Sequence, residues 1–356
     1  MAKQKTGTML SAFAQRIWDS PVIVPVLSLL LSFLIVSIMA MIFGVSPGAI
    51  LVALFEGALK GKYAMSSTVK ETIPLALCGL AVYLPYRAGF FNIGGQGQLE
   101  IGAITAMAVV LYVNGSPAAV MALALLAAVA AGLLASVVPL VLKLKRGANE
   151  VTTTIMMNFA CIQFVHAMIT GPMKDQSAFY GTTEGVPQAL RLPEFSLGVN
   201  MHIGVFMALL LVVATYWLIR RTSYGVQLKA VGGKPSVAEA SGISVSRVIT
   251  LAVLVGSAFA GLAGGIQALG VTYRVAEGWS KDWGFSGIPI AFLAGNNALA
   301  IIPIAFLFAI LETGARYMQF MTGVPAALTY VFQGLPVMIF VALNAWRSMK
   351  PKKIQR

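Results

Sequence analysis

The sequence predicts an all-α, polytopic membrane protein with about ten transmembrane helices, and three observations support that fold class. Of the 356 residues, 58% are hydrophobic and only 10% are charged, whereas a soluble domain usually carries about 25% charged residues. Long apolar stretches recur along the chain, and several approach the ~20 residues that cross a bilayer. The basic residues fall mostly between these stretches and at the ends. The net charge of +13 therefore indicates membrane topology and no nucleic-acid partner.

The apolar stretches divide the chain into three parts. Residues 1–20 form an N-terminal segment with three basic residues, 21–346 the transmembrane domain and 347–356 a basic tail. The first span is longer than the apolar core of a cleaved signal peptide, which has about 7–15 residues. The predicted spans are residues 22–43, 73–88, 101–113, 118–142, 151–170, 202–219, 248–269, 284–295, 299–317 and 326–346.

The distribution of basic residues orients these spans. Ten spans place both termini and every second loop on the same side of the membrane. That side holds 17 Lys and Arg residues, and the opposite side holds 8. Because basic residues accumulate in cytoplasmic loops, both termini are predicted to lie in the cytoplasm. A re-entrant hairpin at residues 284–295 would instead place the basic C-terminus outside.

Two segments on the predicted outer side are not spans. Residues 47–62 mix charged and apolar side chains, and they are predicted to form a short helix on the membrane surface. Residues 171–200 form a polar loop with three prolines. That loop is either a connector or a docking surface for an external partner.

The two halves of the chain are loosely similar. In the first half an apolar segment runs into the glycine-rich stretch 87–100. In the second half residues 278–288 lead into a short apolar stretch that is broken at residues 295–297. Short, glycine-interrupted spans in corresponding positions of two halves indicate the solute path of a transporter.

The glycine-rich segment 89–100 holds the first candidates for solute contact. It places four glycines around the amide side chains of Asn92, Gln96 and Gln98. Irregular backbone at membrane depth is tolerated where it is buried in protein or lines a wet cavity. Amides there would offer uncharged donors and acceptors to the hydroxyls and ring nitrogens of a neutral solute. An ordinary turn between two spans would explain the same residues equally well.

Further polar residues belong to the same predicted bundle. Glu150, Thr154 and Asn158 recur at every fourth position and so share one face of the fifth span, which Asn149 precedes. Asn296 follows the short eighth span. Polar side chains on transmembrane helices usually face the bundle interior or a water-filled cavity. These residues therefore either line the solute path or form hydrogen bonds between helices.

The loop 220–247 contains the signals of a short cytoplasmic helix. Pro235 suits the first turn, and Gly242 followed by apolar Ile243 suits the end. A helix of about seven residues is not stable alone in water, so it must dock on the chain's own spans or on a partner. The stretch around Gly233 lacks the outer glycine and the hydroxyl of a phosphate-binding loop, so the chain itself is not expected to bind ATP.

Four stretches together resemble a known transporter family. They are GFFNIGGQGQLE at 89–100, NEVTTTIMMN at 149–158, AVGGKPSVAEASGISV at 230–245 and GFSGIPIAFLAGNN at 284–297. In this order and spacing they resemble the permease subunits of bacterial ABC importers for nucleosides and simple sugars. The same larger group includes the branched-chain amino acid permeases. The F-N-I-G and N-E-V-x-T-T segments are most similar to the nucleoside branch.

The resemblance implies a function and a set of partners. The chain would be a transport subunit in the bacterial cytoplasmic membrane that moves nucleosides by alternating access and binds no cofactor itself. A separate ABC ATPase would hold ATP and Mg, an external lipoprotein would deliver the solute, and a second, different permease would complete a heterodimer. The short cytoplasmic helix would fit a groove on the ATPase. Its contact residues would be Gly233, Pro235, Ala238, Glu239, Gly242 and Ile243.

One position departs from the family pattern. Relatives often carry Glu where this chain has Gln96. If that carboxylate touched the solute, solute preference would differ here. If it only braced the turn, Gln would act through neutral hydrogen bonds.

Two alternatives to nucleoside import remain open. A simple-sugar ABC permease would use the same amide-rich path. An ATP-independent secondary transporter belongs to a different class, and the lack of a carboxylate in the middle of a predicted span disfavours it. An enzyme is not expected, because the sequence offers no nucleophile–base set. The two His and two Cys lie too far apart to predict a metal site.

Overall fold

The computed structural model describes residues 23–42, 44–196 and 198–349, and this part of the chain is mostly helical. The predicted segment 1–20 and the end of the basic tail lie outside the described residues. Within the described ranges there are thirteen helices and one two-stranded hairpin. The helices are α1 (Ile23–Ile42), α2 (Pro47–Leu59), α3 (Lys62–Arg87), α4 (Gly95–Tyr112), α5 (Pro117–Arg146), α6 (Glu150–Thr170), α7 (Gly204–Arg221), α8 (Ser223–Gly233), α9 (Pro235–Ala240), α10 (Val245–Gln267), α11 (Trp283–Ala294), α12 (Ile301–Thr322) and α13 (Leu328–Met349), and the strands are β1 (Glu194–Ser196) and β2 (Asn200–His202).

Among the residues that the structure describes, five segments are long and apolar enough to cross a membrane. They are α5, α6, α7, α10 with the π-helical turn that extends it to Thr272, and α12 with the short turn that precedes it. Helices α2 and α11 are apolar but shorter. The all-α, multi-pass membrane class is confirmed by these helices.

The largest difference from the predicted spans concerns α3. This helix begins at Lys62, whereas the predicted second span begins at residue 73. Its first part carries Lys70 and Glu71, which interrupt the apolar pattern without interrupting the helix. Lys and Glu are good helix formers, so hydropathy locates the apolar part of such a helix and misses its polar start. The structure thereby places Glu71 inside a buried helix.

Helix α10 lies at the centre of the bundle, where it packs against α3, α4 and α5. Its sequence is rich in glycine and alanine, so neighbouring backbones approach it closely. A Cβ atom added to Gly261 would lie 2.3 Å from the carbonyl oxygen of Ala128 on α5. A Cβ atom added to Gly102 on α4 would lie 2.3 Å from the carbonyl oxygen of Gly261. Larger side chains at this crossing would separate the helices.

The predicted polar loop 171–200 is ordered by hydrogen bonds to the segment between α10 and α11. The backbone N–H of Thr183 donates to the carbonyl of Val275 at 2.9 Å. The backbone N–H of Val186 donates to the carbonyl of Tyr273 at 2.9 Å. Strands β1 and β2 form an antiparallel hairpin at the end of this loop. The loop and the segment before α11 therefore form one connected unit.

The hairpin is also tied to α3. Lys70 donates a hydrogen bond to Glu194 at 2.7 Å, and this bond holds the pKa of the Glu194 carboxyl below its ordinary value. His202 is fully buried, and burial lowers its pKa to about 4. Its Nδ1 accepts a hydrogen bond from the backbone N–H of Gly204 at 3.1 Å. The imidazole is therefore neutral at pH 7.

Helix α2 forms within the predicted surface segment 47–62 and packs against α12. Ser46 caps its N-terminus, and Pro47 occupies the first position. Leu54 is buried, and a Cβ atom added to Gly314 of α12 would lie 2.2 Å from the Leu54 carbonyl oxygen. The helix is confirmed, and its position on the membrane surface stays a prediction.

Replacing Gly261 with Val should prevent the close packing of α10, because the new side chain would collide with the backbone of α5. We expect a loss of stability of about 1–3 kcal/mol. Gly48→Val is the control, since no heavy atom lies within 4 Å of a Cβ atom at Gly48. Thermal melting followed by fluorescence-detected size exclusion measures both variants. Wild-type melting of Gly261→Val would contradict the packing described for α10.

Candidate functional site

The predicted amide segment lies at a break between two helices. Helix α3 ends at Arg87 and α4 begins at Gly95, so residues 88–94 belong to neither helix. Gly89 has φ +78°, a conformation that other residues rarely adopt. The break is nevertheless enclosed in protein, and Phe90 is fully buried. Its backbone groups must therefore find partners inside the chain.

Asn92 joins the two helices across this break. Its side chain is fully buried, and its amide nitrogen donates to the carbonyl of Ala81 at 3.3 Å and to Gln98 at 3.2 Å. Its oxygen accepts a hydrogen bond from the backbone N–H of Gly94 at 2.9 Å. Because Ala81 lies on α3 and Gln98 on α4, these bonds fix the angle at which the chain passes from one helix to the next.

Helix α6 supports the break from a second side. Asn158 donates to the carbonyl of Ile93 at 2.7 Å and accepts from the backbone N–H of Gly97 at 2.7 Å. Thr154, one turn earlier, accepts from the backbone N–H of Ile93 at 3.3 Å. Both side chains are buried. Thr154 and Asn158 therefore share one inward face, as their spacing predicts.

The start of α6 is fixed by its own first residues. Asn149 accepts hydrogen bonds from the backbone N–H groups of Val151 at 2.9 Å and Thr152 at 3.2 Å. These bonds satisfy amide groups that have no partner within the helix. Glu150 forms an ion pair with Lys143 of α5 at 2.7 Å. Asn149 therefore anchors the helix end, whereas Glu150 also reaches the break, where its carboxylate accepts a hydrogen bond from the backbone of Phe91.

Gln96 connects the irregular segment of the first half to that of the second half. Its oxygen accepts from the backbone N–H of Gly284 at 2.9 Å, and its nitrogen donates to the hydroxyl of Ser280 at 2.7 Å. A Cβ atom added to Gly284 would lie 2.3 Å from the Cα of Gln96, so α4 and α11 touch here. The nitrogen also lies 3.4 Å from Glu100. An ionised Glu at position 96 could still accept from Gly284, but it could donate to neither Ser280 nor Glu100.

Two buried carboxylates beside this contact were missed by the sequence analysis. Glu71 on α3 and Glu100 on α4 are each 7% exposed. Glu71 accepts from the indole nitrogen of Trp283 and pairs with Lys281, while Glu100 accepts from the indole nitrogen of Trp279. The sequence does carry a signal for them, namely the two tryptophans and the lysine directly before the predicted short span 284–295. Buried indole N–H groups and buried ammonium groups need acceptors.

The other end of α11 meets the end of α3. Asn296 is exposed and accepts a hydrogen bond from the Arg87 guanidinium. The rings of Tyr86, Phe91 and Phe292 make edge contacts there, with centroids 4.8 to 6.3 Å apart. A helix of this length separates Asn296 from the amide contact at the start of α11 by about 18 Å. The structure therefore does not bring Asn296 together with the other predicted path residues.

The predicted cytoplasmic helix forms as α9, with Pro235 in its first turn. Gly242 has φ +81° and donates to the carbonyl of Glu239 at 2.9 Å, and Ile243 donates to the carbonyl of Ala238 at 3.0 Å. This pair of bonds defines the Schellman cap that the sequence predicts. Ala238 is buried, whereas Glu239 is exposed. The helix therefore presents one face to the bundle and one face outward.

The preceding helix α8 links α9 to the bundle. A Cβ atom added to Gly232 would lie 2.1 Å from the carbonyl oxygen of Arg87, so α8 packs directly on the end of α3. Gly233 has no heavy atom within 4 Å of a Cβ position. A displacement of α9 would therefore reach Arg87 and its partner Asn296.

The chain matches the family model described as the permease component of the branched-chain amino acid transport system, over residues 64–342. It belongs to this permease family. The permease is therefore a multi-pass membrane transport subunit and not an enzyme. Membership implies partner chains, namely an ATPase and a solute-binding protein.

Three relatives are similar to the permease over most of their length. The guanosine ABC transporter permease protein NupP of Bacillus subtilis is 32% identical and covers 88% of this chain and 94% of its own. The glucose ABC transporter permease protein TsgB13 of Haloferax volcanii is 30% identical, with 92% and 88% covered. The nucleoside ABC transporter permease protein NupB of Lactococcus lactis is 30% identical, with 91% and 91% covered. A chain of PsaBC from Streptococcus pneumoniae in complex with Fab aligns at a TM-score of 0.45 and 12% identity, with 82% and 95% covered.

Four of the predicted path residues of the permease share one environment. Their side chains are at most 2% exposed, and each makes hydrogen bonds within the chain. In this conformation they brace the ends of broken helices. Contact between these side chains and a solute stays a prediction. The four residues are Asn92, Gln96, Gln98 and Asn158.

Replacing Asn158 with Leu should destabilise the permease by about 2–4 kcal/mol, because two backbone groups at the break would be buried without partners. Gln163→Leu is the matched control, since Gln163 lies on the same helix and is exposed. Thermal melting in nanodiscs measures the difference. Equal melting temperatures for the two variants would show that Asn158 does not support the break.

Proposed function

We propose that this permease forms one half of the solute path of an ABC importer for nucleosides. The similarity to NupP, which extends over 94% of that guanosine permease, carries the proposal. NupB, a nucleoside permease, is similar over a comparable length. The uncharged amides at the helix break suit a neutral solute, because they offer both donors and acceptors.

Simple sugars are the second candidate solutes. TsgB13, a glucose permease, is 30% identical to this chain. Sugar hydroxyls and nucleoside hydroxyls require the same kinds of hydrogen-bonding partner, so the amides suit both.

Uptake into proteoliposomes decides between the two solutes. The permease and its co-purified partner chains are reconstituted, and labelled guanosine and labelled glucose are compared with and without ATP. We expect ATP-dependent guanosine uptake at least tenfold faster than glucose uptake. The opposite ratio would favour the sugar reading, and equal uptake without ATP would contradict an importer.

The solute path is proposed to follow one face of α11. Phe285, Ile288 and Phe292 recur on an accessible face of this helix, whereas Ile290 and Ala291 are buried. A second permease chain facing that stripe would enclose a path between the two subunits. The residues proposed to border it are Asn92, Gln96, Gln98 and Asn158 near the start of α11 and Asn296 near its end.

Helix α9 is proposed to dock on the ATPase. Its outward face is short, exposed and firmly capped, so it can enter a groove without rearranging. ATP and Mg would be bound by the partner alone, and this chain would bind no cofactor. The proposed contact residues are Gly233, Pro235, Glu239, Gly242 and Ile243, while Ala238, which is buried against the bundle, would hold the helix in place.

The second permease chain is proposed to differ from this one. Bacillus subtilis contains a further guanosine permease, NupQ. It is 25% identical to this chain, with 68% of this chain and 78% of NupQ covered. Two distinct guanosine permeases in one organism support a heterodimer. An external solute-binding lipoprotein is proposed to deliver the solute to the outer loop 171–200.

The permease is proposed to lie in the bacterial cytoplasmic membrane with both termini in the cytoplasm. The excess of basic residues in the predicted inner segments supports this orientation. About ten crossings in two similar halves are part of the same proposal. The contact between Gln96 and Gly284, one from each half, supports a path at the junction of the halves.

Glu239→Arg should uncouple transport, because a reversed charge on the exposed face of α9 would oppose docking on the ATPase. We expect normal insertion and folding, with transport reduced more than tenfold. Lys62→Glu, a charge reversal at an exposed residue at the start of α3 and outside both proposed docking surfaces, is the matched control and should transport normally. Normal ATPase association and uptake in Glu239→Arg would refute the docking role.

Asn92→Leu should lower transport at least fivefold while ATPase association is kept, because the junction of α3 and α4 would lose its polar link beside the path. Gln163→Leu, at an exposed amide on α6 and outside the proposed path and docking residues, is the control. Uptake and co-purification are measured on the same preparation. Parallel loss of assembly and uptake would assign Asn92 a purely structural role.

A further inference from the structure

Two buried carboxylates remain outside the proposed path residues. Glu71 and Glu100 are each 7% exposed. Charged groups inside a membrane domain are costly unless they are paired, and they commonly mark solute paths or moving parts. Apart from Gln96, which lies 3.4 Å from Glu100, their partners come from one short segment, residues 279–283, that leads into α11. We call this set the carboxylate clasp: Glu71, Glu100, Trp279, Ser280, Lys281 and Trp283.

Each carboxylate of the clasp holds two side chains of that segment. Glu71 accepts a hydrogen bond from the indole nitrogen of Trp283 at 2.7 Å and forms an ion pair with Lys281. Glu100 accepts from the indole nitrogen of Trp279 at 2.7 Å and from the hydroxyl of the serine that follows it. Glu71 lies on α3 and Glu100 on α4, so the clasp pins the segment to both helices that border the amide break.

The pinned segment has little regular structure of its own. Tyr273 and Asp282 are the two non-glycine residues with positive φ among those described, at 55° and 54°. Such conformations persist where the surroundings impose them. Between these two residues the chain forms neither a helix nor a named strand. The side chains of the clasp therefore supply much of what holds the segment in place.

The same segment is bonded to the outer loop 171–200. The backbone N–H of Thr183 donates to the carbonyl of Val275 at 2.9 Å, and its hydroxyl accepts from the N–H of Val275 at 3.1 Å. The backbone N–H of Glu277 donates to the carbonyl of Gly181 at 3.1 Å. Movement of the loop would therefore pull on the segment, and the segment can leave the helices only if the clasp opens.

We propose that the carboxylate clasp is the latch of an outer gate, and that Glu71 and Glu100 are the positioning residues that keep the start of α11 closed. A partner protein that docks on the outer loop would open the latch by drawing the segment away from both carboxylates. The gate deepens the proposed function and rests on it, because a latch has a role only in a transporter. Its opening can be measured without any knowledge of the solute.

Iodide quenching of tryptophan fluorescence tests the latch on the purified complex in nanodiscs. Trp279 and Trp283 become the reporters when the other three tryptophans of this chain, Trp18, Trp217 and Trp346, are replaced by Phe. The signal of the partner chains is subtracted with a matched complex in which Trp279 and Trp283 are replaced as well. We expect Lys281→Met to raise the quenching constant at least twofold, because the segment would spend more time away from α3. Lys281→Arg, which keeps the ion pair, should restore the unsubstituted value.

Two further variants keep the test decisive. Lys143→Met is the control. It removes the ion pair between Lys143 and Glu150, 2.7 Å apart elsewhere in the bundle, whose side chains are about as exposed as those of Lys281 and Glu71. It should leave quenching unchanged. If Lys281→Met is not monodisperse, Glu71→Gln carries the test, because its amide oxygen can still accept from Trp283 while the ion pair is lost.

Uptake measured on the same variants separates a latch from a simple brace. We expect Lys281→Met and Glu71→Gln to lower uptake at least fivefold and Lys281→Arg to keep at least half of it. Unchanged quenching in both variants would overturn the proposal, and so would increased quenching with normal uptake. Quenching that follows the expected order while guanosine is not transported would support the latch and reject the nucleoside assignment.

Discussion

The architecture depends on one close contact between two irregular segments, one from each half of the chain. Gly284 at the start of α11 lies against the backbone of Gln96 at the start of α4, and a Cβ atom there would be 2.3 Å from the Gln96 Cα. Neither segment can satisfy all of its backbone groups within a helix, so each uses side chains of its neighbours. Amide and carboxylate groups therefore concentrate at this contact, inside an otherwise apolar bundle.

The surroundings of the contact are held in two different ways. Helices α3, α4 and α5 meet α10 through glycine and alanine, with backbones in direct contact at Gly102 and Gly261. The segment before α11 is attached instead by hydrogen bonds and an ion pair to Glu71 and Glu100. Close apolar packing is difficult to reverse, whereas polar side-chain bonds can exchange partners. This division suits a transporter in which one part stays fixed and another part moves.

The features that the sequence predicted well are local. The cap at Gly242, the shared face of Thr154 and Asn158, and the glycine-rich break all follow from spacing within one stretch of chain. The clasp could not be predicted in this way, because Glu71 and Lys281 are joined only by the folded bundle. Span ends were also missed where polar residues continue a helix. The solute specificity of the path does not follow from local pattern at all, since amides suit several neutral solutes.

The central claim is that this chain transports solute as one part of a complex driven by a separate ATPase. Gentle detergent purification from native membranes, with mass spectrometry of the co-eluting chains, tests it most directly. We expect recovery of an ATPase, a second permease and a solute-binding lipoprotein. A chain that elutes alone and moves solute in liposomes without ATP would contradict the account and would indicate a secondary carrier.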